Sequence, residues 1–254
     1  MAPKVNQTNR LKWSDYTISW QKPKLFRHGE AEMKTIGLIV VAGLVASSAY
    51  AGEISTERKS LFEKAMDAIM AAATPKVPDM LREKLIRDYV DAKPNKAQAV
   101  EPVGGGYFRS TAHEDYNVVG DITLESCQLR YGKPCALLAV NDDIATEGAL
   151  ISKDMPRLHY SGEFDLSQMP IIRAITRARA DVQGYYGAAA PKAIAIHPWG
   201  FLFISTGKAT SRDAQDAALA ACNADPRRNS RDGNCFVYAV DNQVIISERR
   251  QLGK

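Results

Sequence analysis

Past residue 51, the side chains with the greatest chemical reach are Cys127, Cys135, Cys222 and Cys235, the histidines His113, His159 and His197, and a lone tryptophan, Trp199. Thiolates can attack carbonyls, hold zinc or pair as disulfides. A CxxC spacing is missing and no histidine stands beside the cysteines, so zinc is not favoured and no metal ligand is assigned. The histidines fall in separate segments without HxH or HExxH spacing, and no Gly-x-Ser-x-Gly occurs. No catalytic residue is therefore assigned and no cofactor is expected. The most distinctive group is His197, followed by Pro198-Trp199-Gly200. It reads as a strand end, either a ligand-contacting edge or a turn with a packed indole. His197 and Trp199 are the candidate binding residues.

The cysteines belong to a duplication. Lys96-Ala97-x-Ala99-Val100-x-Pro102 precedes Leu124-x-x-Cys127 and Cys135-x-x-x-Ala139-Val140-Asn141-Asp142-x-Ile144. Lys192-Ala193-x-Ala195-Ile196-x-Pro198 precedes Leu219-x-x-Cys222 and Cys235-x-x-x-Ala239-Val240-Asp241-Asn242-x-Val244. Of the three pairings four cysteines allow, a duplication selects Cys127–Cys135 and Cys222–Cys235, each copy closing its own loop. Copy one carries Glu101 and Val103 where copy two carries His197 and Trp199.

Each copy reads strand, strand, helix, strand. In copy two, strands over 192–197 and 201–205 lead to an alanine-rich helix over 210–222. An apolar strand follows, turning at Asp241-Asn242. Copy one has Gly120 inside its helix, and its Gly104-Gly105-Gly106 loop precedes a strand. A phosphate loop would open a helix and carry GK[ST], so a flexible hairpin is expected there. Ahead of the copies, apolar residues recur at helical spacing over 57–73. A second helix is expected over 78–92, and the two read as an antiparallel hairpin. Between the copies, 157–164 alternates like a strand. Asp165-x-x-Gln168 resembles a capping box before a helix over 170–182, with Arg173, Arg177 and Arg179 on a solvated face.

Met33-Lys34-Thr35, an apolar run to Val45 and Ala49-x-Ala51 read as a secretory signal peptide cleaved before Gly52. The run is too short to span a membrane. The expected divisions are a mis-assigned upstream extension over 1–32, ahead of a true start at Met33, the signal over 33–51, the helical hairpin over 52–95, repeat 1 over 96–144, a connecting strand and helix over 145–190, and repeat 2 over 191–254. Residues 1–51 hold seven Lys/Arg and three Asp/Glu, leaving 26 of each beyond them. The pI near 8.8 thus belongs to the precursor. A neutral mature chain argues against nucleic-acid binding. An even cysteine set in an exported chain favours disulfides.

The Lys-Ala-x-Ala-Ile strand, the alanine-rich helix ending in cysteine and the cysteine before an apolar strand resemble small bacterial exported domains of unknown function, here in tandem. That resemblance implies a helix-to-strand disulfide and a periplasmic or secreted protein, and carries over no catalytic residues. Similar proteins also bear a 5-aminolevulinate synthase label. Such a pyridoxal-phosphate enzyme works in the cytosol on a large two-domain scaffold, which fits neither export nor paired cysteines. The expected fold class is α+β, two ββαβ repeats sharing a core behind the helical hairpin. The expected function is a non-enzymatic binding module of the cell envelope, whose partner is an envelope protein or small ligand. The alternative is a small exported enzyme or inhibitor with its site between the repeats.

Overall fold

The computed structural model describes residues 56–144, 152–229 and 231–247. The upstream extension and export signal expected over 1–51 lie outside them. Within the described residues the protein is mixed α+β, with two antiparallel sheets and six α-helices.

Helices α1 (Thr56–Ala73) and α2 (Asp79–Val90) bury Met66 and Met70 on one and Leu85, Ile86 and Tyr89 on the other. These residues close one cluster with Val100 and Leu138, and Phe62 stacks on Tyr89. The 3.6-residue period of the apolar positions is the cause: it gives each helix one face that must be covered.

The first sheet contains β1 (Ala97–Glu101), β2 (Gly106–Ser110), β3 (Ala136–Val140) and β4 (Asp143–Ile144), in the order β2-β1-β3-β4. Helix α3 (Tyr116–Tyr131) joins β2 to β3. The Asp115 carboxylate caps it by accepting the Asn117 amide, and Gly132 ends it at φ 72°. A Cβ on Gly120 would stand 3.4 Å from the Leu137 and Val140 side chains, close to ordinary contact, so α3 packs on β3 at this point.

The second sheet contains β6 (Ala193–His197), β7 (Phe201–Ser205), β8 (Phe236–Val240) and β9 (Gln243–Val244). Strand β5 (Gly162–Glu163) is added at its edge, giving the order β5-β9-β8-β6-β7. Helix α6 (Ser211–Ala224), capped by Thr210, lays Ala214, Ala218 and Cys222 on Ala193 and Ala195. The first disulfide joins Cys127 in α3 to Cys135 ahead of β3. The second joins Cys222 in α6 to Cys235 ahead of β8, and the Cα atoms are 6.2 Å apart in both. The β1–β3 and β6–β8 pairings each slip register once, at Gln98/Ala99 and at Ile194/Ala195.

The connection departs from expectation. Residues 157–164 are not one strand: a 3₁₀ turn occupies Pro156–Leu158 and only Gly162–Glu163 pairs, with β9. Asp165 caps a second 3₁₀ turn, Leu166–Gln168, by accepting the Ser167 amide. The single helix expected over 170–182 is two short ones, α4 (Ala174–Arg177) and α5 (Ala180–Gln183), broken at Arg179, which is extended. The reason lies in the arginines, which do not form a solvated face. Arg177 donates to the Leu166 and Met169 carbonyls, Arg179 to the Leu202 carbonyl and Arg173 to the Ala112 carbonyl. These bonds, with burial of Ile171, Ile172 and Val182, tie the segment down at several points and outweigh one uninterrupted helical ladder. The largest core cluster joins Ala99, Phe108 and Leu124 of the first half to Ile194, Ile196 and Tyr238 of the second, with Met169 and Ile171 between.

Two buried lysines explain why Lys96 and Lys192 occupy matching places. The Lys96 ammonium donates to the Val90 and Ala92 carbonyls and lies 4.9 Å from the Tyr89 ring centre. The Lys192 ammonium donates to the Tyr185, Tyr186 and Ala188 carbonyls and lies 4.9 Å from the Tyr185 ring centre. The backbone amides of Lys96 and Lys192 donate to the Asn141 and Asp241 side chains. Each ammonium satisfies carbonyls just past a helix end, where the dipole favours a cation.

Candidate functional site

Strands β1 and β6 each end in a buried polar residue whose task is to hold the following turn. Glu101 accepts the Val103 and Gly104 amides at 3.0 and 2.6 Å. In the matching place, His197 Nδ1 accepts the Trp199 amide at 3.3 Å and Nε2 donates to the Gly233 carbonyl at 3.2 Å. His197 is fully buried, and burial pushes its imidazole down to about 4. His197 is thus a neutral turn-holding group inside the fold. The turn chemistry that Glu101 supplies in the first half falls to an imidazole in the second.

That turn delivers Trp199 to a cleft between the two sheets. The indole is half-buried, lies 4.7 Å from the Phe108 ring and donates to the Asp232 carbonyl. The cleft, of about 290 Å³, is walled by β2 and its following loop (Phe108, Arg109, Ser110, Thr111, His113), by Ile122 and Ser126 of α3, and by Ile171, Arg173 and Thr176. Pro198 to Phe201, Arg227 and Arg231 close the remaining side. Its size lies near the lower end for small-molecule sites. Four arginines and no aspartate or glutamate line it among the described residues.

The arginines divide into two pairs. Arg173 and Arg227 are ion-paired with Glu114 and Asp225. Burial opposes ionisation of Glu114. The Arg173 hydrogen bond, with the backbone amides of Glu114 and Ala174, nonetheless holds its carboxyl below the usual range. The Arg227 hydrogen bond does the same for Asp225. Arg109 and Arg231 have no ion-pair partner among the described residues. Arg231 lies over Trp199 and Phe201, 5.5 and 5.1 Å from their ring centres.

Strain and an unused polar atom mark the same wall. Ile171 has φ 57° and Ala112 φ 51°. A β-branched residue rarely adopts that region, and such strain collects at binding sites. Ile171 is held there by its amide, which donates to the buried Glu125 carboxylate, itself gripped by both arms of Arg157. His113 is buried, its Nδ1 is 3.1 Å from both the amide and the carbonyl of Asp115, and its Nε2 has no hydrogen bond among the described residues, with Glu114 Oε2 4.0 Å away.

The structure therefore brings Trp199 to the cleft and leaves His197 behind it in the interior. His159 is elsewhere, with its Nε2 2.7 Å from Asp154. All four cysteines are in disulfides. The glycines of the first turn serve geometry: Gly105 has φ 76°, and a Cβ on Gly106 would strike the Tyr131 ring at 2.6 Å. Sequence reasoning named His113 only among the histidines and missed Arg109 and Arg231. Basic residues in two segments more than a hundred residues apart carry no spacing signal, although the aromatic in Tyr107-Phe108-Arg109 marked the strand that holds one of them. No helix among the described residues is long and apolar enough to cross a membrane. No protein family, no curated protein and no solved structure matches this chain.

Proposed function

We propose that the protein is an exported, non-enzymatic binding module of the bacterial cell envelope that seats a small ligand in the cleft between its sheets. In this reading it is built from two tandem ββαβ repeats behind a helical hairpin. The matched sheet orders, bulges, disulfides and buried lysines support the duplication. Paired cysteines and the Met33–Ala51 pattern support a periplasmic or secreted location. The observation that carries the function is the cleft itself: aromatic side chains and unpaired cations converge there from both halves, on strained backbone.

With Trp13→Phe and Trp20→Phe, Trp199 becomes the only indole of the chain, and its emission reports on the cleft. Saturable, reversible change on titration with a fraction of the periplasmic small-molecule extract is the expected result. Indifference to every fraction refutes the reading. His113, with a buried Nε2 that makes no hydrogen bond and a carboxylate 4.0 Å away, favours one alternative, a small exported enzyme with its site in the same cleft. Ligand consumed rather than recovered unchanged would establish it, and loss of turnover in His113→Gln would assign the role.

A further inference from the structure

The charge distribution of the cleft narrows its ligand. Arg173 and Arg227 are already neutralised by carboxylates, so their charge is committed to the fold. Arg109 comes from β2 of the first sheet and Arg231 from the segment leading into β8 of the second, and neither has an ion-pair partner among the described residues. Two guanidinium groups facing one cleft repel each other, and no acidic side chain lines the wall to relieve them. The same wall carries the buried His113, whose Nε2 has no hydrogen bond among the described residues and stands 4.0 Å from Glu114 Oε2, and the hydroxyls of Ser110 and Thr176. A buried polar atom without a partner is costly unless something pairs with it.

Donors thus line the space from several directions, and the one carboxylate near them, Glu114 at 4.0 Å from His113 Nε2, is held by Arg173. A tetrahedral oxyanion accepts hydrogen bonds along many directions at once, and guanidinium forks match it in pairs. The rings of Trp199 and Phe201 line the cleft beside these donors; Arg231 lies over both, Arg227 over Phe201, His197 stacks on Phe201 and Phe108 on Trp199, which leaves ring edges toward the space. A ring on the ligand would cover apolar surface there while its charged group reached the arginines.

We infer that the cleft is a binding site for a small organic phosphate, a phosphate monoester carrying a flat apolar group, held by Arg109, Arg231 and His113. The inference rests on the reading of the cleft as a ligand seat and adds the chemical class.

Isothermal titration of the whole chain with phenyl phosphate tests it, with inorganic phosphate, benzoate and phenol as comparison probes. Phenyl phosphate binds with 1:1 stoichiometry, more tightly than inorganic phosphate or benzoate, and its affinity falls as salt rises. Arg109→Gln and Arg231→Gln each weaken it about tenfold or more, the loss expected for one charge-assisted hydrogen bond. His113→Gln weakens it less, and Arg212→Gln on α6, far from the lining in its contacts, has no effect. Melting temperatures of the four variants, measured alongside, separate loss of ligand from loss of fold. Arg231→Lys, which keeps the charge, restores part of the affinity.

Absence of saturable binding to phenyl phosphate overturns the inference, as does binding that Arg109→Gln and Arg231→Gln leave unchanged in folded protein. If benzoate or phenol binds and shifts Trp199 emission while phenyl phosphate does not, the phosphate assignment falls and the cleft stands as a ligand seat. If no probe and no extract fraction moves Trp199, both fall together.

Discussion

The indole of Trp199 rests on the phenyl ring of Phe108, with 4.7 Å between ring centres and a 44° tilt. One ring belongs to the turn between β6 and β7, the other to β2 of the other sheet. The contact therefore joins the two halves at the mouth of the cleft. Such a pair contributes beyond the area it buries.

Removing that ring tests whether it is packing alone. Trp199→Val should cost about 2–4 kcal/mol in urea-induced unfolding, the range for truncating a large aromatic. Phe108→Leu in the same background should cost little more, because the pair would already be broken. Full additivity would show that the two rings act independently.

Stability should fall on mild acidification. His197 has its imidazole lowered from 6.5 to about 4 by burial. The unfolded chain therefore binds a proton that the folded one refuses between those values. Its contribution is complete above pH 6.5 and is lost as pH falls toward 4, amounting to about 3 kcal/mol at most. His197→Asn should flatten the pH dependence of the melting temperature in that window. An unchanged slope would assign the titration elsewhere.

The buried lysine at the head of β6 should be indispensable to the fold. Lys192→Met deprives the Tyr185, Tyr186 and Ala188 carbonyls of their common donor. A loss of about 3 kcal/mol is expected from leaving buried acceptors unsatisfied. Lys192→Arg should rescue little, because a planar fork does not reproduce the three directions of an ammonium. Stability near that of the native protein in either variant would contradict the role.

The halves should unfold together. One cluster holds Ala99, Phe108 and Leu124 with Ile194, Ile196 and Tyr238. Calorimetry of the chain should show one transition for this region, and residues 188–254 expressed alone should lack dispersed amide resonances. A cooperative, independent fold for that fragment would refute a shared core.

Much of the local structure was legible because it rests on short-range chemistry. The helical period over 57–73 gave α1, and the alanine face over 210–222 gave α6. The pairings Cys127–Cys135 and Cys222–Cys235 followed from a duplicated pattern. The connection was not legible. Alternation over 157–164 and helical spacing over 170–182 are weak local preferences. Arginine bonds to distant carbonyls, Arg179 to that of Leu202 above all, overrode them.

Sequence alone thus determined the strands and helices outside the connection, which cysteines pair and that Trp199 is the distinctive aromatic, since each depends on residues near in the chain or repeated along it. Tertiary structure alone decided the site. His197, a prime candidate by its neighbours, became a buried turn holder equivalent to Glu101. Arg109, His113 and Arg231 were brought to one cleft. The physical reason is that a cleft between two sheets is made by packing across the longest sequence separations, and neither charge repulsion nor an unpartnered imidazole exists until those separations close.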